Sequence, residues 1–174
     1  MNSIHLSAGI VVAALLGACQ SMPSNAPKAT AVLEPTKGST VRGTANFVQA
    51  GDRVRLTASV SGLKPNSEFG FHVHEAGDCS SGDGMSTKGH FNPHGKAHGA
   101  YAMPEHHAGD MPSLRSDGAG NATVNVDLLG VSVSDGPASV VGRGLIVHAQ
   151  QDDFKTQPTG NAGARSACAV IQRS

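Results

Sequence analysis

Seven of the nine histidines in this 174-residue chain lie between positions 72 and 107. Two of them, His72 and His74, flank one valine in the segment GFHVHE (70–75). Apolar residues fill the alternate positions: Phe69, Phe71 and Val73. Because side chains two apart on a strand point the same way, about 7 Å apart, the spacing predicts an apolar core face and two imidazoles on the outer face. Imidazole is a common copper and zinc ligand, although a single His-x-His pair also arises by chance.

Further histidine and carboxylate motifs follow the first pair along the chain. They are GHFNPHGKAHG (89–99), HHAGD (106–110) and GLIVHAQQDD (144–153). Histidine and aspartate together are ligands of copper and zinc sites. The whole set therefore predicts a metal centre more strongly than GFHVHE does alone.

The composition and the periodicity of the remaining chain favour an all-β protein. Glycine is abundant (22 residues), aromatic residues make up 3 %, and the formal net charge is zero, so no nucleic-acid partner is expected. Segments 52–60 and 121–129 alternate apolar with polar residues, as half-buried strands do. Segments 39–48, 67–75 and 143–150 are further predicted strands. The predicted class is an antiparallel Greek-key β-sandwich or flattened barrel.

Two long irregular segments separate these strands. One runs from about residue 75 to residue 115, and the other from about 152 to 163. A long loop without secondary structure is uncommon in a compact domain unless it has a function or is held by ligands. Since most of the histidines lie in the first segment, we expect a metal to order it.

The N-terminal residues predict export. The apolar run at 8–18 is too short to span a bilayer and ends in small residues, as in a signal peptide (1–18). LGAC (16–19) resembles a bacterial lipobox, in which Cys19 is lipidated; Gln20 would favour sorting to the outer membrane. An ordinary secretory signal is the alternative. Residues 19–29 predict a flexible tether, and residues 30–174 the folded domain.

The three cysteines agree with export to an oxidising compartment. If Cys19 takes lipid, Cys79 and Cys168 remain as an oxidisable pair, which an oxidising periplasm permits. Two free thiols are the alternative.

Five motifs together resemble those of copper/zinc superoxide dismutases, most closely the exported bacterial branch. They occur in the family's order over about residues 30–172: GFHVHEAGDCS, GHFNPHGKAHG, HAGD, IVHAQQDD and GNAGARSACAVI. The resemblance implies dismutation of superoxide to dioxygen and hydrogen peroxide, with one copper ion and one zinc ion per subunit. It also implies a disulfide between Cys79 and Cys168.

The family's ligands can be carried over residue by residue. The resemblance implies a copper site of His72, His74, His90 and His148. It implies a zinc site of His90, His98, His107 and Asp110. In that scheme His90 bridges the two metals and carries a proton, and Asp152 links His72 to His98 by hydrogen bonds.

The resemblance also implies roles outside the ligand set. Arg165 matches the family's anion-guiding arginine. His94 and His106 match no ligand and are expected to be solvated surface residues. The segment 152–163 lacks the glutamate pair of eukaryotic forms, so steering by charges other than Arg165 is open. The candidates are Lys88, Lys96 and Lys155, and the favoured alternative for each is a solvated surface charge.

Two other classes of protein compete with the enzyme. A metal-holding lipoprotein without turnover would use the same scaffold, but inactive relatives lose ligands or the arginine, and all are present here. A structural or adhesive sandwich would leave the histidine cluster unexplained. The sequence leaves open whether the protein is a monomer or a homodimer, and any membrane contact is expected only through the lipid anchor on Cys19.

Overall fold

The computed structural model describes residues 25–174, which are almost entirely strands and loops. The predicted signal peptide, Cys19 and residues 20–24 of the predicted tether lie outside the described residues. The described strands are β1 Lys28–Pro35, β2 Arg42–Ala50, β3 Arg53–Ser61, β4 Glu68–Phe69, β5 Phe71–His74, β6 Leu114–Arg115, β7 Ala122–Leu128, β8 Gly144–His148, β9 Arg165–Val170 and β10 Gln172–Arg173. A 3-10 turn spans Met85–Thr87. No helix within residues 25–174 is long and apolar enough to cross a membrane.

The paired strands are antiparallel and form one large curled sheet. Its order is β5-β8-β9-β1-β2-β3-β7, with β10 paired to β1, while β4 and β6 form a small separate sheet. β7 lies beside β3 although β4, β5 and β6 intervene in the sequence, which is the kind of long return connection that Greek-key folds contain. The predicted all-β antiparallel class is confirmed.

The alternation read from the sequence matches the burial of the strands. In β3, Val54, Leu56, Ala58 and Val60 are buried and the residues between them are exposed. These side chains join one continuous hydrophobic core with apolar residues from β1, β2, β5, β8 and β9. That core fixes the sheet register, because a one-residue slip would turn every apolar group toward water.

Several strand boundaries differ from the predictions. β1 begins at Lys28, two residues before the predicted start of the domain, because Lys28 and Ala29 pair with Val48 and Phe47 of β2. β1, β6, β9 and β10 were not predicted as separate strands, and β6 lies at the end of the first segment expected to be irregular. The predicted strand over 67–75 is divided at Gly70, so that β4 pairs with β6 and β5 pairs with β8. A Cβ on Gly70 would lie 2.8 Å from the Cβ of Ala162, so the close approach of two loops requires glycine here.

The first long loop returns along the free edge of β5. The amide of Val73 donates to the carbonyl of Gly109 (2.9 Å), and the amide of Phe91 donates to the carbonyl of Val73 (2.8 Å). Single bridges also pair His74 with His90 and His72 with Asp110. The loop therefore pairs with the edge of β5, and both outward-facing histidines of the strand, His72 and His74, are buried in the folded chain.

A disulfide fastens the same loop to the sheet. Cys79 in the loop is bonded to Cys168 in β9, across a sequence separation of 89 residues. Since β9 begins at Arg165, the disulfide holds the first half of the loop close to that arginine.

Candidate metal centre

Two groups of metal-type ligands lie buried between β5, β8 and the first long loop. In each group the donor atoms lie within 4.8 Å of one another. The first group is His72, His74, His90 and His148. The second group is His90, His98, His107 and Asp110. His90 belongs to both, so the two groups share one imidazole.

The structure places the other predicted residues as follows. His72 and His74 are fully buried, not on a solvent-facing surface, because the first long loop covers them. His94 is exposed. His106 is partly buried, with Nδ1 2.7 Å from the carbonyl of His107, and neither His94 nor His106 joins a ligand group. Lys88, Lys96 and Lys155 are exposed.

The rings of the first group are held by acceptors behind them. Nε2 of His72 donates to Oδ2 of Asp152 at 2.7 Å. Nδ1 of His74 donates to the carbonyl of Lys88 at 2.9 Å, and Nδ1 of His148 to the carbonyl of Gly163 at 3.3 Å. Because each of these nitrogens carries the proton, the other nitrogen of each ring presents its lone pair to the group.

Asp110 is the centre of the second group. Its Oδ1 lies 2.7 Å from Nδ1 of His90 and 3.0 Å from Nδ1 of His98, and 3.5 Å from Nδ1 of His107. The amides of Gly99 and His107 donate to Oδ2. One carboxylate thus orients two imidazoles through Oδ1, lies beside a third, and binds the loop backbone through Oδ2.

Asp152 connects the two groups. Its Oδ2 accepts from His72, and its Oδ1 accepts from Nε2 of His98 at 3.0 Å. Gly160 packs directly against this pair, since a Cβ there would lie 1.8 Å from Oδ1 of Asp152. The predicted role of Asp152 as a link between His72 and His98 matches these hydrogen bonds.

Burial and neighbouring charges separate the pKa values of the histidines. Burial lowers the pKa of His148 to about 3. Burial also lowers the pKa of His90 to about 4, although Asp110 opposes the shift. For His98, burial is outweighed by hydrogen bonds to Asp110 and Asp152, which raise its pKa to about 9. At neutral pH the first two rings are ready to act as neutral ligands, whereas His98 must release a proton to bind a metal.

The carboxylates remain ionised in this buried setting. Burial alone would raise the pKa of Asp110, but the neighbouring imidazoles of His107, His90 and His98 hold it well below its usual range. Hydrogen bonds with His72 and His98 do the same for Asp152.

The donor atoms fit two metal ions. Among residues 25–174, three buried ring nitrogens lack a hydrogen-bond partner: Nδ1 of His72, Nε2 of His90 and Nδ1 of His107. Buried polar atoms are rarely left without a partner, and each of these belongs to a ligand group. Four imidazoles suit copper, and three imidazoles with one carboxylate suit a closed tetrahedral zinc site.

Arg165 lies at the start of β9 and is held by the first long loop. Its Nη1 donates to Oγ1 of Thr87 at 2.7 Å and to the carbonyl of Gly84, and Nη2 donates to the carbonyl of Lys88. The Lys88 carbonyl also accepts from His74, so one oxygen links the guanidinium to a ring of the first group. Burial lowers the pKa of Arg165, with Asp83 opposing the shift, but a guanidinium remains charged.

Sequence reasoning missed the main-chain and amide groups that support the site. These are the carbonyls of Lys88 and Gly163, and the side chain of Gln157, which contacts His98. A carbonyl is present at every residue, so no residue type marks it, and Gln157 has no spacing relation to the histidines.

The fold and the site together define a β-sheet metalloprotein with two adjoining ligand groups that share one histidine. Residues 41–171 match the family model for copper/zinc superoxide dismutase. Superoxide dismutase [Cu-Zn] 2 of Aquifex aeolicus is 40% identical over 149 residues, covering 83% of this chain and 86% of that protein. Superoxide dismutase [Cu-Zn] 2 of Brassica juncea is 43% identical over 151 residues, covering 83% and 96%.

A solved structure shares the fold. The crystal structure of the clock protein EA4 superposes with a TM-score of 0.77 at 36% identity, over 88% of this chain and 98% of that one. The chain belongs to the copper/zinc superoxide dismutase family. It is an oxidoreductase that dismutes superoxide, and its cofactors are copper and zinc.

The backbone of Lys88 generates a prediction about stability. Lys88 has φ 63° and ψ −146°, a conformation that costs a residue with a Cβ about 1–3 kcal/mol. The free energy of unfolding of Lys88→Gly should therefore be about 1 kcal/mol higher than that of Lys88→Ala, after allowing for the greater entropy of glycine in the unfolded chain. Thermal unfolding of the metal-free proteins measures this, with about 2–4 °C expected between the two variants.

The alanine variant is the matched control. Both substitutions remove the exposed ion pair with Glu75, so only the Cβ differs between them. Equal melting temperatures would show that Lys88 is not strained.

Proposed function

We propose that His72, His74, His90 and His148 hold the catalytic copper, that His90, His98, His107 and Asp110 hold a structural zinc, and that His90 bridges the two ions. The observation that carries this proposal is the position of His90 in both ligand groups. Its Nδ1 lies beside Asp110 at 2.7 Å, while its Nε2 is buried without a partner. The two nitrogens of one ring therefore serve different groups.

The anchored rings support the assignment of copper to the first group. One nitrogen of each of His72, His74 and His148 is occupied by a hydrogen bond to Asp152 or to a main-chain carbonyl. The nitrogens that remain to bind an ion are Nδ1 of His72 and Nε2 of the other two rings. Nε2 of His74 and Nε2 of His148 lie 3.4 Å apart, close enough to share one ion. When bound, copper supplies one-electron exchange with superoxide in both directions.

His90 also supplies a place for a proton. The overall reaction takes two superoxide ions and two protons to one dioxygen and one hydrogen peroxide. Nδ1 of His90 faces Asp110 and the second ligand group. With Nδ1 held there, a proton could be held and delivered at Nε2 without the ring turning away. We assign to Nε2 the delivery of one of the two protons to peroxide.

We assign to Arg165 the attraction and orientation of superoxide. Its guanidinium is partly buried and held by three loop oxygens, so its charge and its direction are fixed. The shared Lys88 carbonyl sets this charge close to His74. A fixed positive charge beside the site raises the local concentration of a small anion.

Reconstitution tests the metal assignment. The purified residues 26–174, loaded with copper and zinc, should dismute superoxide rapidly, whereas the same protein with zinc alone should be inactive, because zinc does not change oxidation state. Turnover is measured by superoxide decay, and metal content by elemental analysis. Full occupancy by both metals without turnover would instead identify a metal-holding protein.

Replacement of Arg165 tests the substrate role. Arg165→Glu should lower kcat/KM at least ~10-fold and remove the decline of the rate with ionic strength, because steering of this kind contributes about 10–10³-fold. Arg165→Lys, which keeps the positive charge, should show a smaller fall in kcat/KM. Copper and zinc content should be unchanged in both, and an undiminished rate in Arg165→Glu would exclude the steering role.

We further propose that the protein protects the cell envelope and is anchored through lipid on Cys19. The LGAC motif supports this, as does the Cys79–Cys168 disulfide, which an oxidising compartment permits. Labelled palmitate should enter the full-length protein expressed in a bacterium and not its Cys19→Ala variant. Equal labelling of both, or of neither, would contradict a lipid anchor on Cys19.

A further inference from the structure

Gln157, in the second long loop, binds the main chain of His98 at two points. Its Oε1 accepts from the amide of His98 at 2.8 Å, and its Nε2 donates to the carbonyl of His98 at 2.9 Å. The side-chain amide thus pairs with His98 as a neighbouring strand would. His98 lies in the first long loop, outside any strand, so this pairing takes the place of a sheet partner.

The same loop also holds the ring of His98. Oδ1 of Asp152 accepts from Nε2 of the ring at 3.0 Å, so the main chain and the side chain of His98 are both fixed from residues 152–157. The remaining nitrogen, Nδ1, points toward Asp110. We call the segment 152–160 the His98 clamp.

Internal hydrogen bonds give the clamp its shape. The amide of Asp153 donates to the carbonyl of Gly160, and the amide of Gly160 donates to the carbonyl of Thr156. Oγ1 and the amide of Thr156 donate to the carboxylate of Asp153. Because these hydrogen bonds already order the clamp, less conformational entropy is lost when the metal site forms.

We propose that Gln157 is a positioning residue for the zinc site: it sets the main chain of His98 so that Nδ1 faces Asp110. This inference rests on the proposed assignment of His98 to zinc. Each contact of Gln157 with a ligand is to His98, and none is to the copper group within residues 25–174. Its loss should therefore weaken zinc binding selectively, whereas loss of Asp152 would disturb His72 as well.

The test is the isosteric change Gln157→Met, which keeps the length of the side chain and removes both hydrogen bonds. The zinc dissociation constant should rise about 10-fold, the lower end of the usual effect of losing a ligand's supporting contact. The copper dissociation constant should change less than ~2-fold, compared with about 10-fold for zinc. Competition with a chelator measures both constants on the otherwise identical purified protein.

Gln151→Met is the matched control. Gln151 lies just before the clamp, and its amide reaches Glu68 at the surface and not a ligand. This variant should bind zinc like the unaltered protein. A fall in zinc affinity equal to that of Gln157→Met would show a general effect of the substitution and overturn the proposal.

Two further readouts separate positioning from simple destabilisation. Hydrogen exchange of the His98 amide should accelerate in metal-free Gln157→Met, because its acceptor is gone. Cobalt bound in the zinc site should show altered visible bands in this variant, because its tetrahedral geometry depends on His98. Unchanged zinc affinity, or equal losses of zinc and copper, would overturn the proposal.

Two measurements test the underlying zinc assignment. The unaltered protein should bind cobalt with tetrahedral bands, and His98→Ala should bind zinc more weakly than the unaltered protein. If either result is not obtained, the zinc assignment fails and this inference fails with it. If both are obtained and Gln157→Met binds zinc like the unaltered protein, only the role of Gln157 is wrong.

Discussion

Two buried carboxylates, Asp110 and Asp152, hold the histidine cluster together. Both are at most 2 % exposed, and an isolated carboxylate would be very unfavourable there. Each accepts hydrogen bonds from two or more imidazoles, which stabilises the charge and orients the rings. Removing either carboxylate would leave several buried nitrogens without partners, so ring orientation and folding of the loops depend on the same two side chains.

The centre is built from one rigid part and two loops. β5 and β8 pair in register and fix His72, His74 and His148 on the sheet. The first long loop adds His90, His98, His107 and Asp110, and it is fastened by the edge of β5 and by the Cys79–Cys168 disulfide. The second loop then fixes both groups through Asp152. Loops that carry ligands in this way need such fastening, because a ligand set is selective only when its geometry is preset.

The sequence reached the candidate ligands in two steps, first from one local histidine pair and then from the family resemblance. The pair His72 and His74 identified a strand from its period of two, and β5 has that conformation. The resemblance extended this to a complete ligand list, and the structure brings all seven residues into two groups. The sequence did not predict that His72 and His74 are buried. Their burial depends on residues 89–91 and 109–110, which are distant in the sequence and lie beside β5 in the fold.

The amino-acid sequence by itself identified the candidate ligands, through their motifs, and the antiparallel β-class of the protein. Alternation in β3 and the order of the motifs are properties of the chain and need no partner to be read. The tertiary structure decided which nitrogen of each ring faces the other members of its ligand group, because that depends on a distant acceptor such as the carbonyl of Lys88 or Gly163. It also decided that Gln157 contacts His98 across 59 residues. Such contacts are set by how loops close over a core, and no local pattern records them.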